Sequence, residues 1–224
     1  MSRRTFERLL QFDEPAAMRA MADFPHALAH LALKRRTADV RSIKLMRTAL
    51  FLSIALDTGL RARNLVSIDI RRHLALFREG KKWKARLSVP CDKVKNGVDI
   101  VSELTPLTVQ ILRRWLDNFR PAGCAIDCSW LFPARSGGHL AGTHAYQDVR
   151  DLALRHLGLD ITPHLIRSFI GKAMLDERPD SHADIQQILG HRQIKTTISF
   201  YAPVSPAQAR RRYHESLGQL RGRS

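Results

Sequence analysis

Apolar positions recur with two different periods along the chain, and the change of period divides it. From Val40 to Asp57, Ile43, Leu45, Leu50, Phe51, Ile54 and Ala55 fall at helical spacing, and Thr58-Gly59 supplies a stop. The pattern predicts a buried helix that delivers the chain to Arg61. Three short β-rich runs follow, at about 72 to 77, 84 to 90 and 97 to 102, separated by Glu79-Gly80 and by the Lys95-Asn96-Gly97 turn. They read as a small antiparallel sheet. Thr105-Pro106 then opens a helix with a hydroxyl cap and a first-position proline, and Leu107, Ile111, Leu112 and Trp115 give it an apolar face as far as Phe119.

Helical spacing returns at about 143 to 157, 164 to 175, 181 to 189, 193 to 201 and 205 to 219. Residues 5 to 36 carry two or three short helical patterns, such as Phe6, Leu9, Leu10 and Ala17, Met18, Met21, which suit an N-terminal cap or the end of a linker. Without repeats or low-complexity segments, the order helix, small sheet, many helices predicts an α+β fold, mostly helical, with a three-stranded antiparallel sheet. The expected division is a cap or linker remnant over 1–40, a main domain over 41–203 and a basic C-terminal helix or tail over 204–224.

Charge narrows the function. The chain has 224 residues, 44% of them hydrophobic, enough for one sizeable core. It carries 37 Lys and Arg against 21 Asp and Glu, a formal charge of +16 that favours a polyanionic partner. Between Arg61 and Lys95 there are eleven basic and three acidic residues, so half of the excess sits in one stretch, as suits a phosphate backbone. A chain with no apolar run of about 18 residues and no secretory-type start is expected in the cytosol, away from membranes. Cys91, Cys124 and Cys128 are an odd count with one unmatched C-x3-C pair, a poor zinc pattern, so reduced thiols and no metal are expected.

Four separated segments hold the chemistry-bearing residues: Thr58-Gly59-Leu60-Arg61, Lys95-Asn96-Gly97, His164-Leu165-Ile166-Arg167, and Leu189-Gly190-His191 with Thr196-Thr197 and Tyr201 beyond it. In this order, with the β-rich runs between the first and third, they resemble the catalytic domain of the tyrosine recombinase (phage integrase) family over roughly residues 40 to 203. The resemblance implies DNA cleavage and rejoining through a phosphotyrosine at Tyr201, on double-stranded DNA, in a homo-tetramer, without cofactor or metal. Arg61 and Arg167 are implied as clamps on the non-bridging phosphate oxygens, where a guanidinium fork pairs better than an ammonium. His164 and His191 divide the roles of general base and phosphate hydrogen-bond donor in an order the sequence leaves open. Lys95 is implied as the acid for the leaving 5′-oxygen, with Lys93 on the same strand face as the fallback.

Three departures from the family pattern stand out. Asn64 occupies the position, three residues after Arg61, that is usually acidic. Tyr201 lies ten residues after His191, one more than the commonest spacing, which puts Phe200 at the usual place. Only 60 residues precede Arg61, few for the N-terminal clamp domain of such enzymes. A non-cleaving DNA-binding relative and a type IB topoisomerase-like strand relaxer are the alternatives.

Overall fold

The residues Phe51-Leu52-Ser53-Ile54-Ala55 are buried at every position, so the helix that holds them has no solvent face there and must be enclosed all round. That helix is the centre of the fold. The computed structural model describes residues 3–35, 38–90, 100–121, 128–135, 137–178, 180–190 and 206–222. In chain order the elements are α1 (Arg3–Leu10), α2 (Pro15–Leu33), the central α3 (Val40–Thr58), two short helices α4 (Ala62–Val66) and α5 (Ile70–His73), then β1 (Leu74–Glu79), β2 (Lys82–Val89) and β3 (Ile100–Glu103). They continue with α6 (Pro106–Arg114), which runs into a π-helical turn at Trp115–Phe119, then α7 (Gly142–Leu157), α8 (Pro163–Glu177), α9 (His182–Leu189) and α10 (Pro206–Arg221). The mostly helical α+β class follows from the sequence as expected.

Asp39 caps α3, its carboxylate accepting from the Ser42 N–H at 2.7 Å, and Gly59 ends it in the left-handed region at φ 62°. Around α3, the side chains of Phe24 and Leu28 on α2, Leu112 on α6, Ala153 on α7 and Ile166 on α8 belong to one continuous apolar core. The sheet has the order β1-β2-β3 and is antiparallel throughout, with Leu74 opposite Leu87 and Val89 opposite Ile100. Ala85, Leu87 and Val89 are buried while Arg86 and Ser88 between them are exposed, so β2 lays one face on the core and turns the other to solvent.

Element boundaries differ from the sequence pattern in places, β2 starting at Lys82 instead of 84, and two of the differences have a local cause. The first strand begins at Leu74, two residues late, because the Asp69 carboxylate accepts from the N–H groups of Arg71 and Arg72 and winds Ile70–His73 into a helical turn. The helix opened by Thr105-Pro106 is α-helical only to Arg114; in the wider turn beyond it, Trp115 is buried and its indole N–H donates to the Leu131 carbonyl at 2.8 Å. The turn at Lys95-Asn96-Gly97 and the helix expected over 193–201 lie outside the described residues.

The N-terminal residues brace α8. The Phe12 and Phe169 rings meet edge to face at 5.0 Å, and Arg8 and Arg150 both pair with Asp160, at 2.6 and 2.9 Å. Lys172, with its side chain 1% exposed, places its ammonium 2.8 Å from Asp13 and 3.3 Å from Asp176. A buried ammonium is tolerated where carboxylates pair with it, and here the pairing fixes the turn after α1 to the middle of α8. Among the described residues no helix is long and apolar enough to cross a membrane.

Candidate active site

The start of α8 sets the geometry. Thr162 caps it, accepting from the Leu165 N–H at 3.3 Å, and Pro163 takes the first helical position, where its missing N–H costs nothing. His164 and Arg167 then fall three apart, on one face of the first turns. Arg167 is 7% exposed, and its guanidinium donates to two backbone carbonyls, that of Gly59 through Nη1 and that of Leu189 through Nη2 at 2.6 Å. One side chain therefore ties together the end of α3, the start of α8 and the end of α9. Three of the four segments singled out in the sequence meet at this guanidinium.

The turn that delivers Arg61 is held from both sides. The Thr58 hydroxyl donates to the Ile54 carbonyl at 2.7 Å and accepts from the Leu60 N–H at 3.2 Å. Gly59 is required here twice over. Its φ is left-handed, and a Cβ on it would stand 2.9 Å from Leu189 Cδ2 and 3.1 Å from the Ile188 carbonyl oxygen. Arg61 occupies the cap position of α4, its carbonyl accepting from the N–H groups of Asn64 at 2.9 Å and Leu65 at 3.1 Å. Its half-buried side chain lines an open cleft of about 260 Å³ together with Leu60, Asn64, Val101, Arg167 and Gly190. Burial, and then the neighbouring charge of Arg63, lower the pKa of Arg61, which stays fully protonated because a guanidinium starts so high.

His164, in the first turn of α8, is exposed to solvent. Its pKa is pushed below the usual imidazole range, first by partial burial and then by the charges of Arg167 and Arg61. Both causes favour the uncharged ring, whose unprotonated nitrogen can accept a proton. Because one cause is the positive charge of Arg61, Arg61→Gln is expected to raise the His164 pKa, visible as a shift of its ring C–H titration midpoint in NMR. An unchanged midpoint would show that the two side chains do not share a field.

Of the six residues expected to carry catalysis, the structure brings Arg61, His164 and Arg167 together, while Lys95, His191 and Tyr201, with the fallback Lys93, lie outside the described residues. Cys91 and Cys124 also lie outside them, and Cys128 is half-buried as a free thiol. Among the described residues no group of three or more His, Cys, Asp or Glu is placed to hold a metal ion. The sequence pattern did not disclose that the carbonyls of Gly59 and Leu189 hold Arg167, since every residue offers a carbonyl.

The chain is similar to several known proteins. The model of the phage integrase family matches residues 30–208. Tyrosine recombinase XerC of Bifidobacterium longum is 29% identical over 200 residues, covering 82% of this chain and 50% of that protein. Tyrosine recombinase XerD of Agrobacterium fabrum is 26% identical over 195 residues, covering 80% of this chain and 55% of that protein. The chain thus spans about half the length of these curated relatives. Among solved structures, XerH site-specific recombinase bound to difH substrate superposes with a TM-score of 0.60 at 17% identity, covering 80% of this chain and 48% of that one. XerA recombinase gives 0.55 at 21% identity, covering 87% and 62%. At these identities the superpositions speak for the fold alone. The family match takes in well over half of the sequence, and with it the segments that meet at Arg167: the chain belongs to the phage integrase family.

Proposed function

We propose that the chain is the catalytic part of a site-specific DNA recombinase that cleaves and rejoins double-stranded DNA through a 3′-phosphotyrosine at Tyr201. One observation supports this above the others: Arg61 and Arg167, 106 positions apart in sequence, line a single solvent-open cleft, close enough to His164 for the charges of both to act on it. Two guanidiniums on one cleft suit an anion whose charge grows during reaction, as it does on a phosphodiester passing through five-coordinate phosphorus.

In this reading Arg61 and Arg167 hold the non-bridging oxygens. His164 takes or shares the proton of the Tyr201 hydroxyl as its oxygen attacks phosphorus, and His191 donates to a phosphate oxygen, or the two histidines exchange these parts. The P–O5′ bond breaks and the departing 5′-oxygen receives a proton from Lys95, with Lys93 as the fallback donor. The phosphotyrosine bond keeps the energy of the broken linkage, so rejoining needs only attack by a 5′-hydroxyl and no nucleotide cofactor. Residues 41–203 form the catalytic domain, 1–40 an N-terminal helical cap or linker remnant and 204–224 a basic C-terminal helix or tail, and two DNA sites are held by a homo-tetramer.

The test is a suicide DNA duplex carrying a nick beside the cleavage position, which loses its short 5′-hydroxyl fragment and strands the covalent intermediate. Peptide mapping of the trapped species is expected to find the nucleotide adduct on Tyr201. Salt-sensitive DNA binding without any covalent species would instead describe a non-cleaving relative. Relaxation of supercoiled plasmid without a defined site would describe a topoisomerase-like enzyme.

A further inference from the structure

The sequence departs from its family at Asn64, and the structure gives that departure a chemical sense. Asn64 is 3% exposed on α4. Its backbone is satisfied, the N–H donating to the Arg61 carbonyl at 2.9 Å and the carbonyl accepting from the Ser67 hydroxyl at 3.1 Å. Its side-chain Nδ2, by contrast, is buried without a hydrogen-bond partner, in a residue that lines the same cleft as the two arginines. A buried N–H left unpaired costs stability, so it calls for a reason, and a group that arrives with the substrate is one.

The surroundings indicate what completes this one. Asp57 is the carboxylate among the described residues lining the cleft, and its oxygens are already engaged by the Thr105 N–H at 2.8 Å and the Thr105 hydroxyl at 3.1 and 3.2 Å. A carboxylate at position 64 would bring a negative charge to the cleft that Arg61 lines and offset part of its charge. The amide leaves that charge whole and adds a donor beside it. The partner that fits two guanidiniums and an amide N–H is an oxyanion.

Building on the strand-transfer reading above, we propose that Asn64 is a substrate-contacting residue whose Nδ2–H donates to an anionic oxygen of the phosphodiester held between Arg61 and Arg167. It is thus a third donor to the phosphate, and not a neutral stand-in for an acid that orients Arg61. The two roles differ in sign. If the amide binds phosphate, Asn64→Asp sets a negative charge against the anion and weakens the site; if it merely replaces an orienting acid, Asn64→Asp restores the acid and strengthens it.

The probe is inorganic phosphate, titrated into the ¹⁵N-labelled full chain at low ionic strength. The Asn64 side-chain amide resonance, assigned by its loss in Asn64→Ala, is expected to move downfield and saturate. Phosphate affinity is expected to fall about tenfold in Asn64→Ala and by more in Asn64→Asp, the range for losing one hydrogen bond to a charged group. An amide resonance unmoved up to the solubility limit of phosphate, or an Asn64→Asp chain that binds phosphate as tightly as the wild type, overturns the proposal. Should Asn64→Asp not fold, the wild-type resonance decides. Covalent trapping run in parallel separates the two claims. Phosphate binding through Asn64 with no covalent species leaves this contact standing and removes the strand-transfer reading. A trapped Tyr201 adduct formed at least as fast by folded Asn64→Asp does the reverse.

Discussion

Arg167→Lys is expected to reduce covalent trapping on a nicked suicide duplex by about a thousandfold or more and to lower the melting temperature by roughly 5–15 °C. Two losses combine. The guanidinium spans two carbonyls on separate elements, those of Gly59 and Leu189, while lining the cleft proposed for phosphate, and only a planar fork with five donors can face three directions from one buried position. An ammonium on a flexible stem reaches one of the carbonyls and leaves the other without its donor. Each charged hydrogen bond of this kind is worth about 1.5–3 kcal/mol, and breaking one also releases α9 from the turn before Arg61. Arg167→Lys should therefore behave worse than the loss of a single phosphate contact. Thermal unfolding and single-turnover trapping on the same preparations check both halves. A chain with normal melting temperature and lost trapping would mean that Arg167 serves the phosphate alone.

That double duty marks the limit of what the sequence could disclose. The segment Thr58-Gly59-Leu60-Arg61 was legible because a glycine stop after a long apolar period has few other meanings, and Thr162-Pro163 fixes the start of α8 by the same local chemistry. The sheet was legible from its three β-rich runs and the turn signals between them, though not in its strand starts, the first of which the Asp69 carboxylate displaces. What stayed hidden depends on contacts between distant parts of the chain. Lys172 reads like any solvated lysine until Asp13 and Asp176 are seen to close over it, and Phe12 gives no sign that Phe169 is its partner. Asn64 was visible as a departure in charge, whereas its unpaired Nδ2 is a property of the folded cleft. Local rules placed the residues in elements; burial and backbone carbonyls decided what each one does.

Gly59→Ala is expected to cost roughly 2–4 kcal/mol of stability, about 1–2 from forcing a Cβ into left-handed φ and the rest from overpacking. The second part is particular to this turn. The new methyl would press on Leu189 Cδ2, which can yield, and on the Ile188 carbonyl oxygen, which belongs to the backbone of α9 and cannot yield alone. Moving that backbone separates the Gly59 and Leu189 carbonyls that Arg167 joins, so the proposed clamp on the phosphate is expected to loosen as well. A displacement of about 1 Å at a reacting centre is worth about a hundredfold in rate, the loss expected in covalent trapping at a temperature where the variant remains folded. Gly158→Ala is the control that isolates the cause. Gly158 ends α7 with φ 69°, close to the 62° of Gly59, yet a Cβ there meets nothing within 4 Å. It should lose only the backbone part of the stability and trap DNA like the wild type. If the two variants melt together and both trap normally, Gly59 is a helix stop and nothing more; if Gly59→Ala alone fails, the close approach of α9 to this turn is what keeps the two arginines on one phosphate.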